Sequence, residues 1–205
     1  MEKEILSGLL QINAIKLNFV TPFVWTSGIK SPIYCDNRLS IGDYELRHKI
    51  ALALTKLIQD NYPEVELIGA CATAGIPHGT SVADTLKLPL IYYRSKPKGH
   101  GTNSLIEGQF SSGQKVVIVE DLISTAKSVG QAIEESQKVG LNVIGVVSIV
   151  NYQLPEAKKR LKNLKVNYQS ILSFTELEQY LTLGEVERQK LNEFFKDPIN
   201  HSLFD

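Results

Sequence analysis

Two acids stand side by side at Glu120 and Asp121, directly after the apolar run Val116 to Val119. Adjacent carboxylates at the end of a strand can accept hydrogen bonds from vicinal hydroxyls, such as those of a ribose. The segment that follows, Leu122 to Ser128, carries the hydroxyls of Ser124, Thr125 and Ser128. With its main-chain N–H groups and the positive end of a helix expected to open near Ser128, it would make a seat for a phosphate. Spacing alone also fits a plainer arrangement, a solvated loop start with Ser124 or Ser128 as a helix cap. Neither a P-loop nor a dinucleotide fingerprint is present.

A second cluster is cationic. No acid occurs between Asp84 and Glu107, whereas Lys87, Arg94, Lys96, Lys98 and His100 all fall there. The string RSKPKGHGTNS follows the apolar LPLIYY and contains Pro97, Gly99 and Gly101. Such a composition suggests a long mobile loop. A cationic loop of this kind can close over a polyanion and stabilise charge developing on a leaving group; charge clustering alone is equally compatible with a solubilising surface loop.

These groups need a scaffold, and the apolar pattern supplies one. Helices are expected over residues 3–14 and 43–60, the latter with Leu46, Ile50, Ala53, Leu54 and Leu57 on one face. Residues 17–36 read as β-rich and irregular. Strands at Leu67–Ala72, Leu90–Tyr93, Val116–Val119 and Leu141–Val150 alternate with helices at Ile76–Leu86 and Val129–Val139, and Tyr168–Phe174 is a further strand candidate. Strands apolar at every position are covered on both faces, so the chain is expected to be α/β, with a central, mostly parallel sheet flanked by helices. Ligands of such sheets sit beyond the carboxyl ends of the strands, where both charged clusters fall.

Composition sets limits. The 205 residues are 43% hydrophobic and 21% charged, enough for a buried core. Twenty-two Lys and Arg balance 22 Asp and Glu, which argues against a general nucleic-acid binder. No apolar run approaches the roughly 20 residues that cross a bilayer, and the start MEKEILSGLL does not resemble a secretory signal. Cys35 and Cys71 lack the spacing of a zinc site or a disulfide framework and read as small apolar fillers. A cytoplasmic protein with no membrane partner is expected.

Four ordered segments carry a resemblance. Val116 to Ser128 resembles the phosphoribosyl-diphosphate signature of type I phosphoribosyltransferases. RSKPKGHG followed by LIEG is similar to the catalytic loop of the orotate phosphoribosyltransferases within that class. WTSGIKSPIYCDNR, Trp25 to Arg38, resembles the segment that closes over the orotate ring, and ATAGIPHG, Ala72 to Gly79, the diphosphate loop. The resemblance implies a single domain over residues 1–205, with approximately residues 1–40 forming a hood over the base site. It implies that Glu120 and Asp121 hold the ribose hydroxyls while Leu122, Ile123, Ser124, Thr125, Ala126, Lys127 and Ser128 bind the 5′-phosphate. Arg94, Lys98 and His100 would engage the diphosphate, Lys98 and His100 as catalytic groups. Lys30, Tyr34, Ser124 and Tyr152 would meet orotate. Mg²⁺, held mainly by the substrate, and a homodimer with shared active sites are implied as well.

The chain departs from the pattern at several places. Ala126 and Lys127 replace residues where glycine is frequent, so a positive φ at Ala126 would be strained. Ser95 stands where many members have lysine, and Thr26 and Ala74 stand where some do. Asn151-Tyr152 replaces an Asp-Arg pair that contacts orotate in some members, which leaves the orotate carboxylate in need of another partner. Transfer to a different base, or binding of phosphoribosyl diphosphate by a non-catalytic regulator, would share the same signature.

Overall fold

The structure is a computed structural model and describes residues 1–25, 27–96, 105–200 and 203–204. The chain opens with helix α1 (Glu2–Gln11), which buries Ile5, Leu6 and Leu9. This helix ends earlier than its apolar pattern suggests, because Asn13 takes a left-handed φ of 55° and turns the chain out. Four short strands follow: β1 (Ile15–Leu17), β2 (Phe23–Val24), β3 (Lys30–Ser31) and β4 (Ile33–Cys35). They form two antiparallel ribbons, β1 with β4 and β2 with β3. A 3₁₀ turn, Asn37–Gly42, leads into α2 (Tyr44–Asn61), whose N-terminus is capped by Asp43. The face expected on α2 is the buried one: Leu46, Ile50, Ala53 and Leu54 are covered, while Leu57 is only half-buried.

The remaining elements alternate. They are β5 (Leu67–Cys71), α3 (Gly75–Leu86), β6 (Leu90–Tyr93), β7 (Ile106–Glu107), β8 (Lys115–Ile123), α4 (Lys127–Lys138), β9 (Asn142–Asn151), α5 (Pro155–Asn163), β10 (Tyr168–Ser173), α6 (Phe174–Tyr180) and α7 (Glu185–Lys196). Strands β5 to β10 make one six-stranded sheet in the order β10-β9-β8-β5-β6-β7. All its neighbours are parallel except the β6–β7 edge pair. The central strands read as continuous apolar runs, and β5 is buried at all five positions, because helices cover both faces. One apolar cluster runs from Ile5 to Phe195 and joins the hood to the sheet.

Strand β8 exceeds its expected length. Pairing with β9 continues through Glu120, Leu122 and Ile123, so the acid pair lies within the strand and the loop leading to α4 is the short Ser124–Ala126 connection. His78 packs in the interior of α3, fully buried, and burial lowers its pKa to about 4. Both cysteines are buried and unoxidised, and burial pushes both thiols up. Among the described residues, no helix is long and apolar enough to cross a membrane.

Candidate active site at the switch point

The chain runs from β5 outward to β6, then returns to place β8 on the other side of β5. The strand order therefore reverses between β5 and β8, and a crevice opens beyond their carboxyl ends. Two turns face each other there. Gly75, at the start of α3, comes so close to β8 that a Cβ would lie 2.8 Å from the Val119 carbonyl oxygen and 3.5 Å from Glu120 Oε1. Only glycine lets the two strand ends approach in this way.

The β8–α4 loop, Ser124–Ala126, is the second turn. Ala126 adopts φ 56° and ψ 28°, the left-handed conformation foreseen as strained, and lets α4 start immediately. No side chain caps α4 at Ala126. The first N–H groups of a helix have no acceptor within it, so this end is a natural seat for an anion. Helix α3 likewise starts without a side-chain cap at Ala74. An L-residue held left-handed costs about 1–2 kcal/mol, against a smaller entropic penalty for glycine. Ala126→Gly is therefore expected to raise the urea midpoint, with a gain of up to about 1 kcal/mol and the loop retained. A lower midpoint would show that the Ala126 methyl packs better than its backbone strains.

Glu120 is dry and tightly held, while Asp121 beside it is half-buried. Glu120 is 5% exposed; its Oε2 accepts from Ser128 Oγ at 2.6 Å, and its Oε1 accepts from the Asp121 N–H at 3.1 Å. Glu120 thus braces the loop from strand to helix. Burial, and then the neighbouring Asp121 charge, push its carboxyl well above the usual range. Burial raises Asp121 too.

A cavity of about 900 Å³ opens beside the β8–α4 loop; Glu120, Asp121 and the β5–α3 turn are not among its lining residues. One wall is the loop and helix start, with Ser124, Thr125, Lys127 and Ser128. Facing it is the hood turn of Trp25, Ser27, Gly28, Ile29 and Lys30. The hood turn is closed by Trp25 N–H to the Ile29 carbonyl (3.0 Å) and Gly28 N–H to the Trp25 carbonyl (2.8 Å), with Gly28 at φ 86°. Trp25 is fixed by its Nε1 donating to the Ile33 carbonyl at 3.1 Å.

The structure thus brings Lys30, Ser124, Thr125, Lys127 and Ser128 to one cavity. Leu122 and Ile123 stay in the strand, and Ala126 is buried behind the loop. Arg94 leaves β6 beside Ser95, which lines the cavity, and in this structure it pairs with Glu107 at 3.3 Å. Lys98, His100 and Thr26 lie outside the described residues. Tyr34 stacks on Phe23 within the hood, with ring centroids 5.6 Å apart, and is not in the cavity lining. Tyr152 is likewise placed behind the wall, fully buried and stacked on Trp25 at 5.1 Å. Its ring is drawn there by Trp25 and Phe195, so it supports the indole that lines the cavity.

Its hydroxyl is buried beside the Cys35 main chain, outside ordinary hydrogen-bond geometry. Tyr152→Phe is expected to leave KM for orotate unchanged and to alter stability by no more than about 1 kcal/mol, since only a weakly held hydroxyl is lost. A large rise in that KM would return Tyr152 to the base.

Several lining residues escaped sequence reasoning. Trp25 carried no charge or hydroxyl to draw attention. Gln131 lies four residues after Lys127, on the same face of α4, and that spacing was the available signal. Glu156, Pro198, Ile199 and Phe204 reach the cavity through tertiary folding alone.

Comparison with known proteins agrees with this geometry. A profile described as "Phosphoribosyl transferase domain" matches residues 42–180. An orotate phosphoribosyltransferase of Bacillus cereus is 45% identical over 98% of each chain, and one of Bacillus mycoides is 44% identical over the same share. The crystal structure of orotate phosphoribosyltransferase from Aeropyrum pernix superposes with a TM-score of 0.78 at 27% identity, over 88% of this chain and 99% of that one. Adenine phosphoribosyltransferase from Leishmania donovani shares the fold at a TM-score of 0.63 and 17% identity, over 89% of this chain and 83% of that one. By its profile match and its full-length identity, this chain belongs to the orotate phosphoribosyltransferase family.

Proposed function

We infer that this chain transfers the phosphoribosyl group of 5-phosphoribosyl 1-diphosphate to orotate, giving orotidine 5′-monophosphate and diphosphate, a step in pyrimidine nucleotide synthesis. The observation that carries the reading is the switch-point cavity, with an uncapped phosphate loop on one wall and the hood on the other, in a chain 45% identical along its length to an orotate phosphoribosyltransferase.

The chemistry follows from the walls. A 5′-phosphate fits the Ser124–Ser128 seat, where N–H groups, hydroxyls and Lys127 offset its charge. That anchors one end of the sugar and points its hydroxyls toward Asp121 and Glu120. The base enters under Trp25, whose ring offers an apolar face, while Lys30 provides a cation suited to the orotate carboxylate. The ring nitrogen of orotate attacks C1 of the ribose, and the C1–O electron pair leaves with diphosphate. No side chain needs to form a covalent intermediate; the protein positions the reactants and stabilises charge. Arg94, Lys98 and His100 neutralise the leaving group in this reading.

Mg²⁺ belongs to the reading as an ion held mainly by diphosphate and ribose oxygens. The donors of this site fit it, because the carboxyl oxygens of the acid pair at the end of β8 are hard donors. When bound, such an ion supplies further neutralisation of the diphosphate. A cytoplasmic homodimer that shares residues between its two sites completes the proposal. Incubation with orotate and phosphoribosyl diphosphate is expected to yield orotidine 5′-monophosphate and diphosphate in equal amounts; absence of either product would reject the activity.

A further inference from the structure

We propose that Asn37 is a positioning residue for the transfer, holding the Asp121 carboxylate in register with the ribose through a hydrogen bond to the Asp121 main chain. The inference rests on the ribose role given to Asp121 above. Asn37 lies outside the cavity, in the 3₁₀ turn that joins the hood to α2.

The end of β8 creates the need. Pairing between β5 and β8 stops at Ala70 and Val119, whereas β8 continues to Ile123 against β9 alone. Beyond Val119, the edge of β8 that faced β5 has lost its partner strand. Buried main-chain groups left without partners are costly, so substitutes must be found. Two side chains supply them at Asp121. Glu120 Oε1 accepts from its N–H at 3.1 Å, and Asn37 Nδ2 donates to its carbonyl at 2.8 Å.

Asn37 is built for one orientation. It is fully buried, and Cys35 Sγ donates to its Oδ1 at 3.3 Å, which leaves Nδ2 directed at Asp121. Its own carbonyl accepts from Ser40 Oγ at 2.6 Å. The preceding residue is anchored as well, with Asp36 N–H donating to the Ala14 carbonyl at 2.7 Å. The bond to Asp121 spans 84 positions of sequence and fastens the root of the hood to the acid pair. A carboxylate that must meet a sugar hydroxyl tolerates displacement of only about 0.5 Å, so a fixed main chain beneath it affects function as well as folding.

A double-mutant cycle on the full-length protein separates these roles. Asn37→Ser is expected to lower kcat/KM for phosphoribosyl diphosphate about tenfold, the effect of one such hydrogen bond, with KM for orotate within about twofold. In an Asp121→Ala background the same change should cost less than about twofold, because the group being positioned is gone. Asn37→Leu keeps the approximate shape, loses the donor without adding a charge and should behave alike. Each variant is assayed well below its own melting temperature. An equal loss in both backgrounds, an equal rise in the orotate KM, folded variants with undiminished kcat/KM, or failure of both variants to fold would each overturn the positioning role. Failure of the parent protein to release diphosphate with orotate would instead reject the transferase reading itself.

Discussion

Lys98→Ala lowers kcat by about 10²–10³-fold and leaves KM for orotate within about threefold. The expectation comes from where the ends of its loop are fixed. Strands β6 and β7 pair antiparallel, with Tyr93 opposite Ile106, and the Arg94 N–H donates to the Leu105 carbonyl at 2.7 Å. Residues 95 and 105 therefore leave and rejoin the fold side by side, and Ser95 lines the cavity. The segment that starts at Ser95 carries cations and no acid between residues 84 and 107, which suits a role at a diphosphate as its charge grows. Charge that develops in the transition state is stabilised most by a cation that interacts weakly with the ground state, so kcat should fall more than binding. An unchanged kcat in Lys98→Ala would remove this residue from the chemistry.

Glu120→Gln is expected to reduce activity and increase stability. The carboxyl is given a ribose hydroxyl, and replacing one of its acceptor oxygens by an amide donor should lower kcat/KM for phosphoribosyl diphosphate by about tenfold. Stability moves the other way for an electrostatic reason. Burial, with the Asp121 charge, raises the Glu120 pKa in the folded protein above its ordinary 4.5. Above pH 4.5 the unfolded chain gives up the proton that the folded chain retains, so the folded state loses stability as pH rises through that window. Glutamine is neutral throughout. Its amide can still donate to Ser128 Oγ while its oxygen accepts the Asp121 N–H. At neutral pH the variant should melt roughly 2–4 °C higher, the effect of about 1 kcal/mol in a chain of this size, and the gap should close toward pH 4. A variant less stable at pH 7, with the same pH slope as the parent, would contradict this account of the buried acid.

The two variants together test the proposed shared site. Mixed after subunit exchange, the impaired Lys98→Ala and Glu120→Gln chains should exceed the sum of their separate activities if each site takes its loop from one subunit and its acids from the other. No excess over that sum despite exchange would mean that each chain completes its own site.

Much of the scaffold was legible because single-residue chemistry and local periodicity agree there. The run Val116–Val119 followed by Glu120-Asp121 marked a buried strand meeting a polar site, and the structure places it beside β5 at the reversal of strand order. The missing glycine marked Ala126 as the position where a positive φ would be strained, but did not show that the chain adopts one there. The full length of β8 was not, since it depends on β9 continuing alongside it to Asn151. The aromatic roles were also hidden. Tyr34 and Tyr152 have the chemistry to stack on a base, yet Phe23 holds the one and Trp25 the other, so the cavity presents Trp25. Asn37 was invisible in the sequence because its partner is a main-chain carbonyl 84 residues away.

The central claim is orotate-dependent release of diphosphate. It is tested most directly by incubating the protein and phosphoribosyl diphosphate with orotate, uracil, adenine, hypoxanthine and guanine in turn, with diphosphate release as the readout. The account predicts robust release with orotate and little with the other bases. Turnover of hypoxanthine but not orotate, or binding of phosphoribosyl diphosphate with no release under any base, would contradict it.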